Sequence, residues 1–293
     1  MDNCQRESNR IYAGAAVVFA KPHFKEAFDY SQTSLISGQQ SLIPFEYDYA
    51  PTPKVWLGLK GQDGLGIQTS YWQFDQDGAS RATSSDGTTL IGAHAATIIF
   101  PANIFTANPT ETLLTSSSLW TETLNLCGTL DTQFGGIDLQ GAAGVRYVGF
   151  RQNYAASIVD GTGTPLRFIN WERSYYGLGP TVIVDGKKRL GNTRLSAFMH
   201  GGGALLFGSK SIDRTVVGDQ SPQPASPFLS LTGADEVVGV GEASLGLEWS
   251  TQLVGHVVAV RGSYDGQLWA EGGAPTLGFL GFQGFGIGLE LRR

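Results

Sequence analysis

The stretch 236–291 constrains this chain more than any other part of it. Three long runs follow one another there with almost nothing between them. From Glu236 to Trp249, the residues Val237, Gly239, Gly241, Ala243, Leu245, Leu247 and Trp249 share one parity, and Glu242, Ser244, Gly246 and Glu248 share the other. From Leu253 to Trp269, a single parity carries Arg261, Ser263, Asp265 and Gln267. From Leu277 to Leu291, Phe285, Ile287, Leu289 and Leu291 stand opposite Gly284, Gly286, Gly288 and Glu290. Side chains of a strand alternate between faces, so each run is a strand with one apolar face and one small or polar face. All three exceed the usual strand of about 5–6 residues. Long two-faced strands joined by tight turns predict an all-β protein, a single closed antiparallel barrel that crosses an outer membrane.

Composition supports that class and excludes others. Glycine supplies 40 of 293 residues, without a collagen period and largely inside the strand-like runs, where barrels use it to bend strands and relieve inner crowding. Charged residues make up only 16%. No run of about 18 apolar residues exists, which excludes membrane-spanning helices. The net charge of −6 gives no basic patch of the kind nucleic acid requires. Two cysteines, Cys4 and Cys127, decide little about redox compartment.

Along the chain, residues 1–9 read as a flexible terminal segment and 10–293 as the barrel. Strands are predicted at 10–20, 54–60, 65–75, 119–131, 137–150, 171–185 and 194–207, followed by the three final runs. Long loops are predicted at 21–50, 76–117, 151–170 and 208–235. Tight turns fall at Gly61-Gln62-Asp63-Gly64, Phe134-Gly135-Gly136 and Gly186–Asn192. The count is about ten strands, with twelve as the alternative, and Ile91–Phe100 is either an added strand or a loop element. Short and long connections alternate, which predicts short periplasmic turns on one rim and long outer loops on the other. Trp56, Trp72, Trp120, Trp171, Trp249 and Trp269 fall near strand ends, as interface girdles do.

Six pieces recur in order: YAGAAVVFAKPHF at 12–24, PKVWLGLKGQDGLGIQTSYWQFD at 53–75, GAAGVRYVGF at 141–150, YYGLGPTVIVDGKKRLGN at 175–192, ALLFG at 204–208 and VRGSYDGQLW at 260–269. Together they resemble the pore-forming outer-membrane protein family typified by the Legionella major outer membrane protein, especially its planctomycete members. The resemblance covers nearly the whole chain apart from the long loops. It implies a barrel in the bacterial outer membrane with porin-like activity. Two departures stand out. MDNCQRESNR lacks the apolar core of the signal peptide with which such proteins begin, so no signal peptide is present in this sequence. The last residues, Leu291-Arg292-Arg293, lack the terminal aromatic that many such barrels carry.

With the apolar parity toward lipid, the other parity lines the lumen, because an Arg or Lys facing hydrocarbon near the midplane costs about 2–4 kcal/mol. The lumen candidates are Asp138, Gln140, Arg146, Glu242, Glu248, Arg261, Asp265, Gln267 and Glu290. These groups form either a charged constriction that selects solutes or a salt-bridged plug, and ten strands lie near the side-chain-filled end of the barrel series. His23, His94, His200 and His256 show no metal-type spacing, Ser196 and His200 merely share a parity, and Gly201-Gly202-Gly203 lacks the Lys of a phosphate loop. No catalytic residue, metal or cofactor is expected. The expected partners are outer-membrane lipid and envelope proteins reached through the outer loops, with no nucleic acid. The leading function is passive passage of small solutes or ions. The alternatives are a non-conducting anchor, adhesin or complex subunit, and a soluble ligand-binding barrel.

Overall fold

The computed structural model describes residues 10–24, 28–94, 103–217, 228–271 and 279–293, and every regular element among them is a strand. Ten strands close the barrel: β1 (Arg10–Phe24), β4 (Ala50–Lys60), β5 (Leu65–Asp77), β9 (Thr112–Phe134), β10 (Ile137–Val159), β11 (Pro165–Arg189), β12 (Leu195–Val217), β13 (Phe228–Leu253), β14 (His256–Glu271) and β15 (Phe279–Arg292). Each pairs antiparallel with its neighbours, and β1 pairs with β15 to complete the ring. The seam runs from Tyr12↔Arg292 to Phe24↔Leu280 and ends in the backbone pair Ile11–Arg293, with N···O distances of 3.2 and 2.9 Å.

Tight turns sit together on one rim. Gly135 and Gly136 both take positive φ (58° and 77°), the two-residue type I′ geometry that matches the twist of paired strands. Val254 and Gly255 do the same at 49° and 76°, which places a β-branched side chain in left-handed backbone.

Exposed apolar side chains ring the outer surface near this rim. They include Val55, Leu57 and Leu59 on β4, Leu124 and Leu126 on β9, Leu178, Val182 and Val184 on β11, Leu245 and Leu247 on β13, and Phe285, Ile287 and Leu289 on β15. The opposite parity of each strand is buried and faces inward. Small residues on that parity let large ones cross the lumen. A Cβ on Gly14 would stand 2.2 Å from the Trp56 ring, and one on Gly58 would stand 2.1 Å from the Tyr12 ring.

The strands run much further than the sequence predicts. Segment 151–170, read as a loop, is strand except at 160–164, and 208–217 and 228–235 are strand as well. Beyond the belt the outward parity turns polar, with Arg151, Asn153, Asn170, Glu172 and Asp213, while Phe150, Tyr154, Ile158, Ile169 and Trp171 point inward. The two faces thus exchange character along one unbroken strand, and a reading keyed to apolar-outward alternation loses the pattern there. At about 3.3 Å per residue and a tilt of about 40–45°, a 23-residue strand such as β9 rises about 55 Å, roughly twice an apolar band of about 25 Å. The wall formed by β9–β13 therefore stands well clear of the hydrocarbon.

The predicted loops 21–50 and 76–117 also carry strands. β2 (Phe28–Ser34), β3 (Gln40–Pro44), β7 (Thr89–His94) and β8 (Asn103–Ala107) form a separate four-stranded sheet in the order β3-β2-β7-β8. β6 (Arg81–Ser84) continues the edge of β5 along β9. Ile91–His94 belongs to the small sheet, not to the barrel, and 95–100 lies outside the described residues. β1 continues through Pro22 because β4 begins only opposite Ala20, so the missing N–H of Pro22 costs no ladder bond on that side.

Side chains from the small sheet and the Phe45–Tyr49 segment enter the loop-side half of the lumen. Tyr30, Phe45, Tyr47, Ile91 and Ala93 join Phe74, Leu119, Phe150, Tyr154, Trp171 and Trp269 in one buried apolar cluster. Phe45 meets Tyr154 edge-on at 5.6 Å, and Tyr154 stacks on Trp171 at 5.4 Å. This half of the barrel is packed like a soluble protein core.

Candidate functional site, a charged vestibule

Below the aromatic layer the lumen opens. A cavity of about 660 Å³ occupies the half of the barrel that carries the apolar belt and reaches the turn-side rim. Its wall is the inward parity of nearly every strand, so its chemistry follows from alternation and register.

At the rim, Lys60 reaches Asp131 (2.7 Å), Gln140 donates to the other oxygen of Asp131 (2.8 Å), and Gln133 donates to Asp138 (2.9 Å). Further in, two carboxylates collect three cations. Glu248, with a fully buried side chain, accepts from Lys187, from Arg261 at 2.8 Å and from Arg292 at 3.0 Å. Glu290 accepts from Arg292 at 2.5 Å, lies 3.2 Å from Arg261 and takes the indole N–H of Trp56 at 2.6 Å. The Arg261 guanidinium also lies over the rings of Trp56 (5.7 Å) and Phe198 (5.5 Å). Desolvated ion pairs survive only where geometry and additional hydrogen bonds offset the solvation they lose, and this cluster supplies both.

A third group crosses the inner end. Asp185 contacts His200 Nδ1 (2.8 Å), His200 Nε2 lies 3.5 Å from Glu242, and Glu242 pairs with the fully buried Arg146. Arg146 Nε donates to Asn125 (2.6 Å), which donates on to Ser70 (2.9 Å). The chain of contacts thus joins β11, β12, β13, β10, β9 and β5. Lys54 faces it from β4 and acts on Glu242 and His200 through space.

The structure brings together most of the residues that sequence nominates. Arg146 and Glu242 form one pair, and Glu248, Arg261 and Glu290 form one cluster. Asp138 and Gln140 stand at the rim. Asp265 lines the cavity with Ser263 donating to it (2.6 Å), and Gln267 lines it with an unbonded side-chain oxygen. Sequence reasoning passes over Lys54, Lys60, Asp131, Asp185, Lys187 and Arg292, and it gives Trp56 and His200 no place in the lumen. The signal for Lys54, Trp56 and Lys60 is present in the chain, since they share the parity opposite Val55, Leu57 and Leu59. The girdle reading of tryptophan is corrected: Trp56, Trp72, Trp171 and Trp269 point inward, leaving Trp249 exposed and Trp120 half-buried. Of the three consecutive glycines only Gly202 faces the lumen, where its missing Cβ leaves room for Glu242. Ser196 is buried opposite Glu248 in register, and the contacts of His200 go to Asp185 and Glu242. Cys127 carries a buried free thiol, and Cys4 lies outside the described residues.

On the loop side, above the belt, Asp29 is buried under the aromatic layer. Tyr154 donates to its backbone oxygen (2.6 Å), and Arg81 lies 3.7 Å from its carboxylate while also pairing with Glu46 (2.5 Å). Burial pushes the Asp29 carboxyl up to about 6, outweighing the nearby Arg81 charge.

No curated protein sequence matches the chain. Among solved structures, the outer membrane protease OmpT of Escherichia coli is 9% identical, with a TM-score of 0.46, over 98% of this chain and 97% of that one. The Pseudomonas putida toluene transporter TodX is 8% identical with a TM-score of 0.20, over 98% and 89%. The CymD monoaromatic hydrocarbon channel is 10% identical with a TM-score of 0.19, over 99% and 89%. The family described as Legionella pneumophila major outer membrane protein precursor matches residues 3–272, which takes in the small sheet and every barrel strand except β15. With an outward apolar belt on ten closed strands and a family match over most of its length, the chain belongs to the Legionella major outer membrane protein family and is a β-barrel of the bacterial outer membrane.

Proposed function

We propose that the protein is a porin-like channel for small solutes, held shut from the loop side. The observation that carries this reading is the cavity of about 660 Å³ inside the lipid-spanning half, lined by charged groups and ended by aromatic packing. A barrel that served only as an anchor gains nothing from an open, charged interior of that size, because charges in a filled lumen are often no better than apolar packing. The aromatic layer acts as the gate, and its movable part is the segment that brings in Phe45 and Tyr47. The protein works without catalysis and without nucleic acid, its constant partner being lipid.

The second reading, a non-conducting barrel that acts through its loop-side wall and small sheet, is favoured by the same aromatic layer. Planar-bilayer recording separates the two. Wild type is expected to be mostly silent, and a Phe45→Ala, Tyr47→Ala, Tyr154→Ala variant is expected to give stepwise conductance. A triple variant that is folded and inserted yet silent would sink the channel and leave the anchor.

A further inference from the structure

The inner end of the vestibule is chemically lopsided. Most of its charged side chains are matched with opposite charges; the exceptions are Asp265, which takes the Ser263 hydroxyl, and Lys54. Among the described residues, no hydrogen bond or ion pair reaches its ammonium group, although it lines the cavity. In the barrel wall Lys54 pairs in register with Trp72, and Trp72 pairs with Thr123. The hydroxyl of Thr123, only 3% exposed, lines the same cavity and has no hydrogen-bond partner. A buried hydroxyl left without a partner is unfavourable. An unpaired cation two strands along the same row, with the Trp72 ring between, makes the row an acceptor-seeking site rather than a packing feature.

The surroundings of this row are apolar. Trp72 and Phe282 meet edge to face at 5.4 Å, and Val18 and Ala20 complete the cavity floor. The Trp72 indole N–H is already used by Thr52 (3.2 Å), so its ring offers surface and no donor. Glu242, facing Lys54 across the lumen, is paired with Arg146, and it would repel a second negative charge.

We propose that the inner end of the vestibule binds small monocarboxylates with an apolar body, the carboxylate held by Lys54 and Thr123 and the body laid against Trp72 and Phe282. An inorganic anion would forgo the apolar floor, and a dianion would meet Glu242. Such a site fits the general anatomy of ligand pockets, mostly apolar with a few placed polar groups. It rests on the vestibule being a solute compartment, so the test measures binding and not flux.

The probe is 4-fluorobenzoate, followed by fluorine NMR with the protein in lipid nanodiscs. Saturable line broadening is expected for wild type and for Lys54→Arg. It is lost in Lys54→Met and weakened about tenfold in Thr123→Val, the effect of one charge-assisted hydrogen bond. The neutral 4-fluorobenzamide is expected to show none, and Lys188→Met, at an exposed position away from the cavity, is expected to match wild type. Partition into lipid would instead give non-saturable broadening of equal size in Lys54→Met, and that result overturns the site. Heat-modifiable gel mobility checks that each variant is folded. Saturable, Lys54-dependent binding together with a folded, inserted Phe45→Ala, Tyr47→Ala, Tyr154→Ala variant that stays silent in bilayers would remove the channel and keep the site. Conductance without Lys54-dependent binding would do the reverse.

Discussion

Replacing Glu248 by Gln removes one negative charge and almost no volume from the point where three cations converge. The side chain of Glu248 is fully buried, and Lys187, Arg261 and Arg292 all contact it. Each pair at about 3 Å, in an effective dielectric near 20, carries roughly 5 kcal/mol of direct attraction before desolvation is subtracted. Glu290 remains to serve Arg261 and Arg292, while Lys187 loses its carboxylate partner. Breaking a buried pair from one side costs about 3–5 kcal/mol, and Glu248→Gln is expected in that range. The assay is thermal unfolding in detergent, scored by heat-modifiable mobility and by loss of β circular dichroism. Arg292→Gln alone is expected to cost less, since Glu248 keeps two partners. The double variant is expected to recover part of the loss, because removing Arg292 restores the charge balance around Glu290. A Glu248→Gln barrel within about 1 kcal/mol of wild type would refute the reasoning and show that water, not protein, solvates the cluster.

Three further outcomes follow from other features. Val254→Asn relieves left-handed backbone at a 90% exposed turn position and is expected to add about 1 kcal/mol of stability in the same unfolding assay. Gly58→Ala puts a methyl into the Tyr12 ring and is expected to cost about 1–3 kcal/mol, with Tyr12→Ala in the same chain relieving the clash. Docking of β2 is expected to tighten with acid: the Asp29 carboxyl titrates near 6 when docked against 3.8 when free, so its favourable contribution is fully present below 3.8 and is lost as pH rises through about 6. The span corresponds to about 3 kcal/mol, to be read as hydrogen-exchange protection of 28–34 corrected for intrinsic rates, and Asp29→Asn is expected to flatten it.

How much of this was legible depended on what the outward parity faced. Leu245, Leu247 and Trp249 face outward through the belt, so 236–249 announces itself as strand. Arg151, Asn153 and Glu172 face outward above it, so 151–170 looks like a polar loop although its backbone pairs without a break from Asn153↔Glu172 to Ile158↔Arg167. The lumen residues were legible one strand at a time, as polar positions opposite apolar ones. Their partnerships were not. That His200 meets Asp185 depends on the register of β11 against β12, and that Arg146 reaches Glu242 depends on the curvature that carries β10 round to β13. Neither quantity is written in a single strand. The small sheet was hidden for a different reason: strands of five to seven residues give too few alternations to rise above the noise of a polar segment.

The β1–β15 seam has a consequence for how this protein is made. Of the barrel strands, the first to be built is the last to be satisfied on one side, since its partner is the barrel's final strand. Until β15 exists, β1 and β14 each present an open edge of backbone donors and acceptors, the template on which unrelated chains aggregate. Every residue between them must be synthesised before the ladder can close, so closure carries the slow kinetics of pairing between strands far apart in sequence. A stop codon just before β15 would therefore not yield a nine-stranded barrel with a small defect. It would yield a sheet with two sticky margins, a substrate for periplasmic chaperones and proteases.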